Sequence, residues 1–311
     1  MSGITITAGV SFSGAFTFTP PPPPNTAAWF GGGDIGGTVT VQRITFATDT
    51  ATASVRGPLS AARYGLAAAG NDTDGWFGGG SSAPGYRSTV QRITYATDTD
   101  TASVRGPLSL ARGSLAAAGN DTDGWFGGGY GAPGLSSTVD RITYATDTAT
   151  ASVRGPLSSA RGGLAATGNT TDGWFGGGSP GPSSTVDRIT YATDTATAAV
   201  RGPLSFARIR LAAVGNDTDG WFGGGSPSQS TVDRITYATD TNTASVRGPL
   251  SSARYALAAA GNTTDGWFGG GSFPVKSTVD RITYATDTAT ASVRGPLSSS
   301  SRYLAAAGGI Q

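Results

Sequence analysis

The chain of 311 residues has no cysteine, no histidine and no glutamate, and its one lysine is Lys276. Without cysteine there is neither a disulfide framework nor a thiolate metal centre, and the redox compartment is not legible. General acid–base chemistry near neutral pH draws mainly on histidine, or on glutamate and lysine with tuned pKa values. Only aspartate and tyrosine remain of the usual proton carriers, so the expectation is a protein that is not an enzyme and uses no cofactor. Charged residues make up 13% of the chain, with both signs interspersed and a net charge of +1. That balance argues against nucleic acid, which calls for a one-signed patch. No apolar run reaches membrane-spanning length, so membrane insertion is not expected. Met1-Ser2-Gly3-Ile4 lacks the basic and apolar regions of a secretory signal, and an extracellular location would need another export route.

What the chain has in abundance is glycine, 49 residues, and repetition. The block Trp-Phe-Gly-Gly-Gly recurs with its Trp at 29, 76, 125, 174, 221 and 267, at intervals of 47, 49, 49, 47 and 46 residues. Such periods mark repeat architectures in which each unit is one supersecondary element. One unit reads as four strands. Residues 66–70 are a short run of small residues, and Asn71-Asp72-Thr73-Asp74 is a turn rich in side chains that bond their own backbone. Residues 75–79 carry the Trp-Phe-Gly motif, residues 89–96 are alternating and β-branched, and residues 101–105 follow a Thr-Asp-Thr-Asp turn. The first strand is almost all Ala and Gly, as strands converging on an axis need, while aromatics sit on the second and third, where the space between blades widens.

The two ends complement each other. A Trp-Phe-Gly strand at 29–31 has no Ala strand before it, and the Ala strand at 303–308 has no Trp-Phe-Gly after it. The expected fold is therefore all-β: a β-propeller of six four-stranded blades over residues 27–311, with the C-terminal strand completing the N-terminal blade and removing open edges. Residues 1–26 stand apart. Ile4, Ile6, Val10, Phe12, Phe16 and Phe18 fall on alternate positions of a strand, and Pro20 to Pro24 form a stiff spacer. This arm is expected to add to a sheet edge of a carrier protein.

Phe126-Gly127-Gly128, Tyr144 to Asp147, and Gly155-Pro156-Leu157-Ser158-Ser159-Ala160-Arg161 stand in the order of a kelch repeat. The chain resembles kelch-repeat propellers over residues 27–309, with the kelch Trp of the last strand replaced by Ala-Ser-Val. The wording of the repeats, clean from Trp174 to Ser205, is similar to virion structural proteins of tailed phages, especially those of marine cyanobacteria. That resemblance implies a virion or extracellular location, other virion proteins as partners of the arm, and a role in structure or host attachment. The kelch-fold copper oxidases need His and Cys, and six-bladed sialidases a catalytic Glu, none of which the chain has.

Several motifs carry two readings. Asp72-Thr73-Asp74-Gly75 resembles a calcium loop, but the first Asp becomes Thr170 and Thr263 elsewhere, and a self-bonded turn explains every copy. Asn71, Asn120, Asn169, Asn216 and Asn262 begin Asn-x-Thr acceptor sequences, although Asn also suits the turn. Recurrent Arg such as Arg141, Arg154 and Arg161, with Asp140, Asp147 and Asp172, read as a buried paired network that fixes register. The repeats differ mainly in the loop between the second and third strands and around the Arg between the fourth and first. In an up-and-down blade these connections share one end. That face collects Tyr64, Tyr86, Arg87, Leu110, Tyr130, Phe206, Arg210, Tyr255, Phe273 and Lys276. Variation confined to one face reads as a partner surface, for a host glycan or protein. The alternative functions are an extracellular glycan-binding propeller and a subunit of a cell-surface filament.

Overall fold

A computed structural model of the chain describes residues 26–308. The arm residues 4–18, the proline run and residues 309–311 lie outside the described residues. In one repeat Ala67–Gly70 pairs with Asp74–Gly78, that strand with Val90–Thr94, and that in turn with Ser103–Arg105, all antiparallel. Six sheets of this four-stranded order occur among the described residues. In one of them Ala305–Ala307 pairs with Ala27–Gly31, Trp29 standing opposite Ala307 and Gly31 opposite Ala305. The fold is all-β and propeller-like, built from tandem units. The Ala-rich first strands stand side by side in chain order, and Ala305–Ala307 neighbours both Ala258–Gly261 and Ala67–Gly70.

The sequence reading carried the third strand to residue 96. The structure ends it at Thr94 and turns Tyr95–Thr97 into a 3-10 helix, and it starts the fourth strand only at Ser103. The reason lies across the sheet boundary. A strand would send Tyr95 and its successors to alternate faces, whereas the tight turn delivers Tyr95 and Asp98 together to the preceding sheet. Tyr95 stacks on Trp29 with ring centroids 3.8 Å apart. The Trp29 indole N–H donates to Asp98 at 2.8 Å, and Arg43 and Arg56 reach the same carboxylate oxygen at 3.0 and 3.4 Å. Gly31 leaves room for the neighbouring sheet's Phe77, whose ring would lie 3.0 Å from a Cβ there. The pattern repeats at the other boundaries. At the last, Trp267 stacks on Phe46 at 4.0 Å and donates to Asp49 at 2.9 Å. These Trp and the Asp carboxylates they meet are almost wholly buried, while the arginines reach in from partly exposed positions, so each boundary combines aromatic packing with a charge cluster at its edge.

A second charged set is deeper still. Arg112, Arg161, Arg208 and Arg254, each between a fourth strand and the next first strand, pair with Asp140, Asp187, Asp233 and Asp280 at 2.6, 2.6, 2.7 and 3.0 Å. Two positions depart from this. In the N-terminal sheet both partners change, to Ser301 and Gln42, and Gln42 accepts from the Ser298 N–H and hydroxyl. In the next sheet only the acid changes. Arg63 is 1% exposed and donates to the carbonyls of Gly79 and Thr89, but Gln91 stands where the carboxylate belongs, with its amide nitrogen unpartnered. Burial, and then the nearby Arg87, lowers the Arg63 pKa to about 10.

The same substitution should therefore have opposite signs at these two sites. Gln91→Asp supplies the missing partner of Arg63 and should stabilise the fold by about 2 kcal/mol, the worth of a charged hydrogen bond. Gln42→Asp buries a carboxylate with no Arg and should cost about 3–5 kcal/mol. Chemical denaturation of the two variants checks both signs.

Candidate recognition face

The connections between second and third strands and those between fourth and first strands do meet on one face. Tyr64 bridges to Ser81, Ile209 to Ser226 and Tyr255 to Ser272, each pairing a corner with a loop of the following sheet. In two repeats the loop is itself a small ribbon: Ser81–Ser82 with Gly85–Tyr86, and Tyr130–Gly131 with Gly134–Leu135 beside Arg112–Gly113.

The ten sequence-derived residues divide once placed. Phe273, Leu110, Phe206 and Tyr86 are exposed, at 70, 49, 49 and 40%, and Arg210 is exposed with them. Arg87 is half-buried and held by the Ser82 hydroxyl and the Ala83 carbonyl. Tyr130 is spent on its neighbour: its ring covers Gly162 and its hydroxyl bonds the hydroxyl of Ser179. Tyr255 and Lys276 are half-buried, and Leu110 lines a groove with Pro133 and Leu135. These positions are spread around the face rather than gathered at one spot.

One group does converge. Gly65, Ser114, Gly163, Arg210, Ala256 and Tyr303 follow the corner Arg or its equivalent, and all have positive φ, between 55 and 69°. The N–H of each donates to the carbonyl of the one before at 2.6–2.8 Å, and Gly65 donates to Tyr303, so the sequence of bonds returns to its start. These residues line the opening of the Ala-rich shaft between the first strands. Two of them are large. Arg210 lies over the Tyr303 ring at 5.4 Å, Arg302 approaches the same ring at 5.9 Å, and Tyr64 meets it edge-on at 6.3 Å. Sequence reasoning placed Tyr64 and Arg210 on this face but left out Arg302 and Tyr303 as site residues. The available signal was Gly65 and Gly163, which mark a left-handed position at this register.

Charge is divided between the faces. Among the described residues, the cations with no carboxylate in ion-pair range are Arg63, Arg87, Arg210, Lys276 and Arg302, all at these loops and corners. The acids without such a partner are Asp34 on this face and Asp72, Asp100, Asp121 and Asp217 in the turns of the opposite one. Burial, and then Asp121, raises the Asp72 pKa.

The uniformity of the opposite face has a structural cause. Asn71 accepts from the N–H groups of Thr73 and Asp74, and its amide donates to the Asp121 carbonyl of the next turn at 3.2 Å. Asn120 and Asn169 repeat the link to Thr170 and Asp217. Asp74 is bonded to the Thr73 and Thr94 hydroxyls. The turns thus hold one another. Bonds within each described turn, and from three of them to the next, give the near-constancy of this face a structural cause, so confined variation alone does not establish a partner surface on the other.

No protein-family model matches the chain, and no curated protein matches it. The functional reading rests on geometry and charge.

A non-glycine residue held at positive φ is strained by about 1 kcal/mol or more. Arg210 is exposed at φ 58°, so Arg210→Gly should raise the unfolding free energy by about 1 kcal/mol despite removing a ring contact. A lower stability in urea would mean that the Tyr303 contact outweighs the backbone strain.

Proposed function

We propose that the chain is a six-bladed, kelch-like β-propeller closed by its C-terminal strand. In this reading it is a non-enzymatic structural or adhesion protein of a phage particle, holding an external partner on its loop-and-corner face. The observation that carries the binding role is the collection there of unpaired cations beside exposed Tyr86, Leu110, Phe206 and Phe273. Elsewhere the arginines are paired with carboxylates, and of the unpaired cations all but the buried Arg63 reach the surface, where an acidic partner can meet them. Aromatic and arginine side chains supply most of the binding energy at interfaces, because they bury large areas from few torsions. A host glycan or protein with negative charge fits this surface. The virion setting rests on the resemblance of the repeats, and the N-terminal arm is the natural point of attachment to other virion proteins.

Closure is supported by the pairing of Ala305–Ala307 with Ala27–Gly31 and by the Trp267–Asp49 bond across the last boundary. Removing residues 302–311 takes away that strand and the Tyr303 link of the corner bonds. The truncated chain should lose cooperative unfolding and melt well below the full chain; an unchanged melt would sink the closed ring.

For the partner face, replacing Tyr86 and Arg87 by Ala together, or Phe206 and Arg210 together, should weaken attachment by about 1–4 kcal/mol with the fold intact. Binding should also weaken with added salt, since exposed charges are screened beyond about 10 Å at 0.1 M. Replacing Asn120 or Asp72 on the opposite turns should leave attachment near the wild-type level. The measurement is binding of the purified chain to host cells or to their extracted surface polymers. Loss confined to the Asn120 and Asp72 variants would place the contact on the other face.

A further inference from the structure

Each corner arginine reaches from the start of its sheet's first strand to the second and third strands. Arg112 shows the full set of bonds. Its Nη1 donates to the carbonyls of Gly128 and Thr138, and its Nη2 to the Phe126 carbonyl at 3.0 Å and to Asp140 at 2.6 Å. Arg63 is anchored in the same way by Nη1, on Gly79 at 3.0 Å and Thr89 at 2.8 Å. The other half of the set is missing. Among the described residues, Nη2 of Arg63 reaches neither the strand carbonyl nor a carboxylate.

Gln91 stands opposite Phe77 as Asp140 stands opposite Phe126. Its oxygen accepts the Ser60 N–H at 2.6 Å, the bond that Asp140 accepts from Ser109. The glutamine thus fills the place of the aspartate and keeps its backbone contact, but it brings no charge. Its amide nitrogen is fully buried and has no acceptor. Gln42, the other glutamine at this register, has Ser301 in place of the corner arginine, so no cation is left over there. At Arg63 a second cation adds to the excess. Arg87 lies two residues before Thr89, whose carbonyl Arg63 holds, and its guanidinium is bonded to the Ser82 hydroxyl and the Ala83 carbonyl. Burial and then Arg87 bring the Arg63 pKa down only to about 10, so Arg63 is still charged at neutral pH.

An isolated buried charge is very costly. A water molecule accepts hydrogen bonds but leaves the charge in place. We propose that one chloride-sized anion binds between the Arg63 guanidinium and the Gln91 amide, where a carboxylate serves four other sheets. The ion accepts N–H bonds from both side chains and offsets the repulsion between Arg63 and Arg87. Arg63 is 1% exposed and Gln91 0%, so an acidic side chain or sugar acid of a partner does not reach it. The site therefore goes beyond the partner face, being closed to a macromolecule.

The test is urea unfolding of the full-length chain at constant ionic strength, with sodium chloride replacing sodium gluconate. Folding that takes up one ion gains about tenfold in its equilibrium constant for each tenfold rise in chloride above the dissociation constant. The wild-type chain should follow that slope. Gln91→Asp carries its own counter-charge, so it should be the more stable chain in gluconate and should not respond to chloride. Wild-type crystals grown in bromide should show the ion, by its anomalous scattering, within hydrogen-bond reach of Arg63 and Gln91, a result that does not depend on how the variant folds. A wild type indifferent to chloride, an equal response in both chains, or bromide found only elsewhere would overturn the site. Acetate as effective as chloride would overturn the limit to an ion-sized ligand and make the site one for carboxylates.

Discussion

At each boundary between sheets one aspartate oxygen gathers three donors from the sheet before it, and this shared carboxylate fixes the rest of the structure. Asp147 takes the Trp76 indole N–H at 2.8 Å and the guanidinium groups of Arg92 and Arg105 at 3.1 and 3.3 Å. A buried charge pair is weak evidence for stability, because desolvation offsets much of the attraction. Its value here lies in what it forbids. Loss of the carboxylate would leave Arg105 and the indole N–H without a partner in a largely buried place and Arg92 with Asp74 alone, and loss of either arginine would unbalance the charge. The cluster also has a direction, from each sheet to the next, so a sheet of this sequence can dock only one neighbour on each side. Docking of that kind, applied at constant angle, makes either a closed ring or an open helix. The contact of Trp267 with Phe46 and Asp49 joins the last sheet to the N-terminal one by the same cluster.

Packing follows the same radial logic. Near the axis the first strands offer only Ala, Gly and single Thr or Val side chains, such as Thr167 and Val214, which are fully buried. Further out the wedge fills with Trp–Tyr stacks, centroids 3.7–3.9 Å apart in five of the boundaries. The glycines are placed to match. Gly106 lies where a Cβ would strike the carbonyl of Ala149 in the next sheet, and Gly127 and Gly176 lie under Phe175 and Phe222. Much of the glycine that makes the composition unusual is therefore spent on close approach between sheets, where flexibility is not the point.

Most of this architecture was legible in the sequence because the repeats state it several times over. The Trp spacing gave the unit, the alternation of small, aromatic and β-branched runs gave the strands, and the orphan strands at the two ends gave the pairing of Ala305–Ala307 with Ala27–Gly31. The pairing of the arginines was foreseen, but not that Arg154 would reach Asp194 in the following sheet at 3.4 Å. A repeat cannot say which neighbour a side chain serves, since the sequence on both sides is the same. The 3-10 turn at Tyr95–Thr97 was missed for a related reason: its cause is the position of Trp29 in another sheet, and tertiary demand overrode a good strand pattern. The mouth cluster was only half seen. Arg210 stands out as a charge, whereas Tyr303 matters because of a left-handed backbone and a place in a cycle of hydrogen bonds, neither visible in residue type.

In a molecule so nearly periodic, a site that takes one ligand in one orientation has to lie where the period is broken. The breaks are not scattered. One of them is silent: Ser301 and Gln42 replace an arginine and an aspartate together, so the neutral pair leaves no net charge behind. The other is not silent, since Gln91 leaves Arg63 buried without a carboxylate and close enough to Arg87 for the two to repel. Arg210, Arg302 and Tyr303 break the pattern again at the axis, on the same face. Arg63 carries an unmatched charge and Arg210 and Tyr303 a strained backbone, whereas the Ser301 and Gln42 pair brings neither. Independent errors in a repeat would fall on either face and carry either sign. The cations left unpaired, Arg63, Arg87, Arg210, Lys276 and Arg302, all fall on one face, whereas the unpaired acids fall mainly on the other, where Asp100 is itself a departure from the repeat.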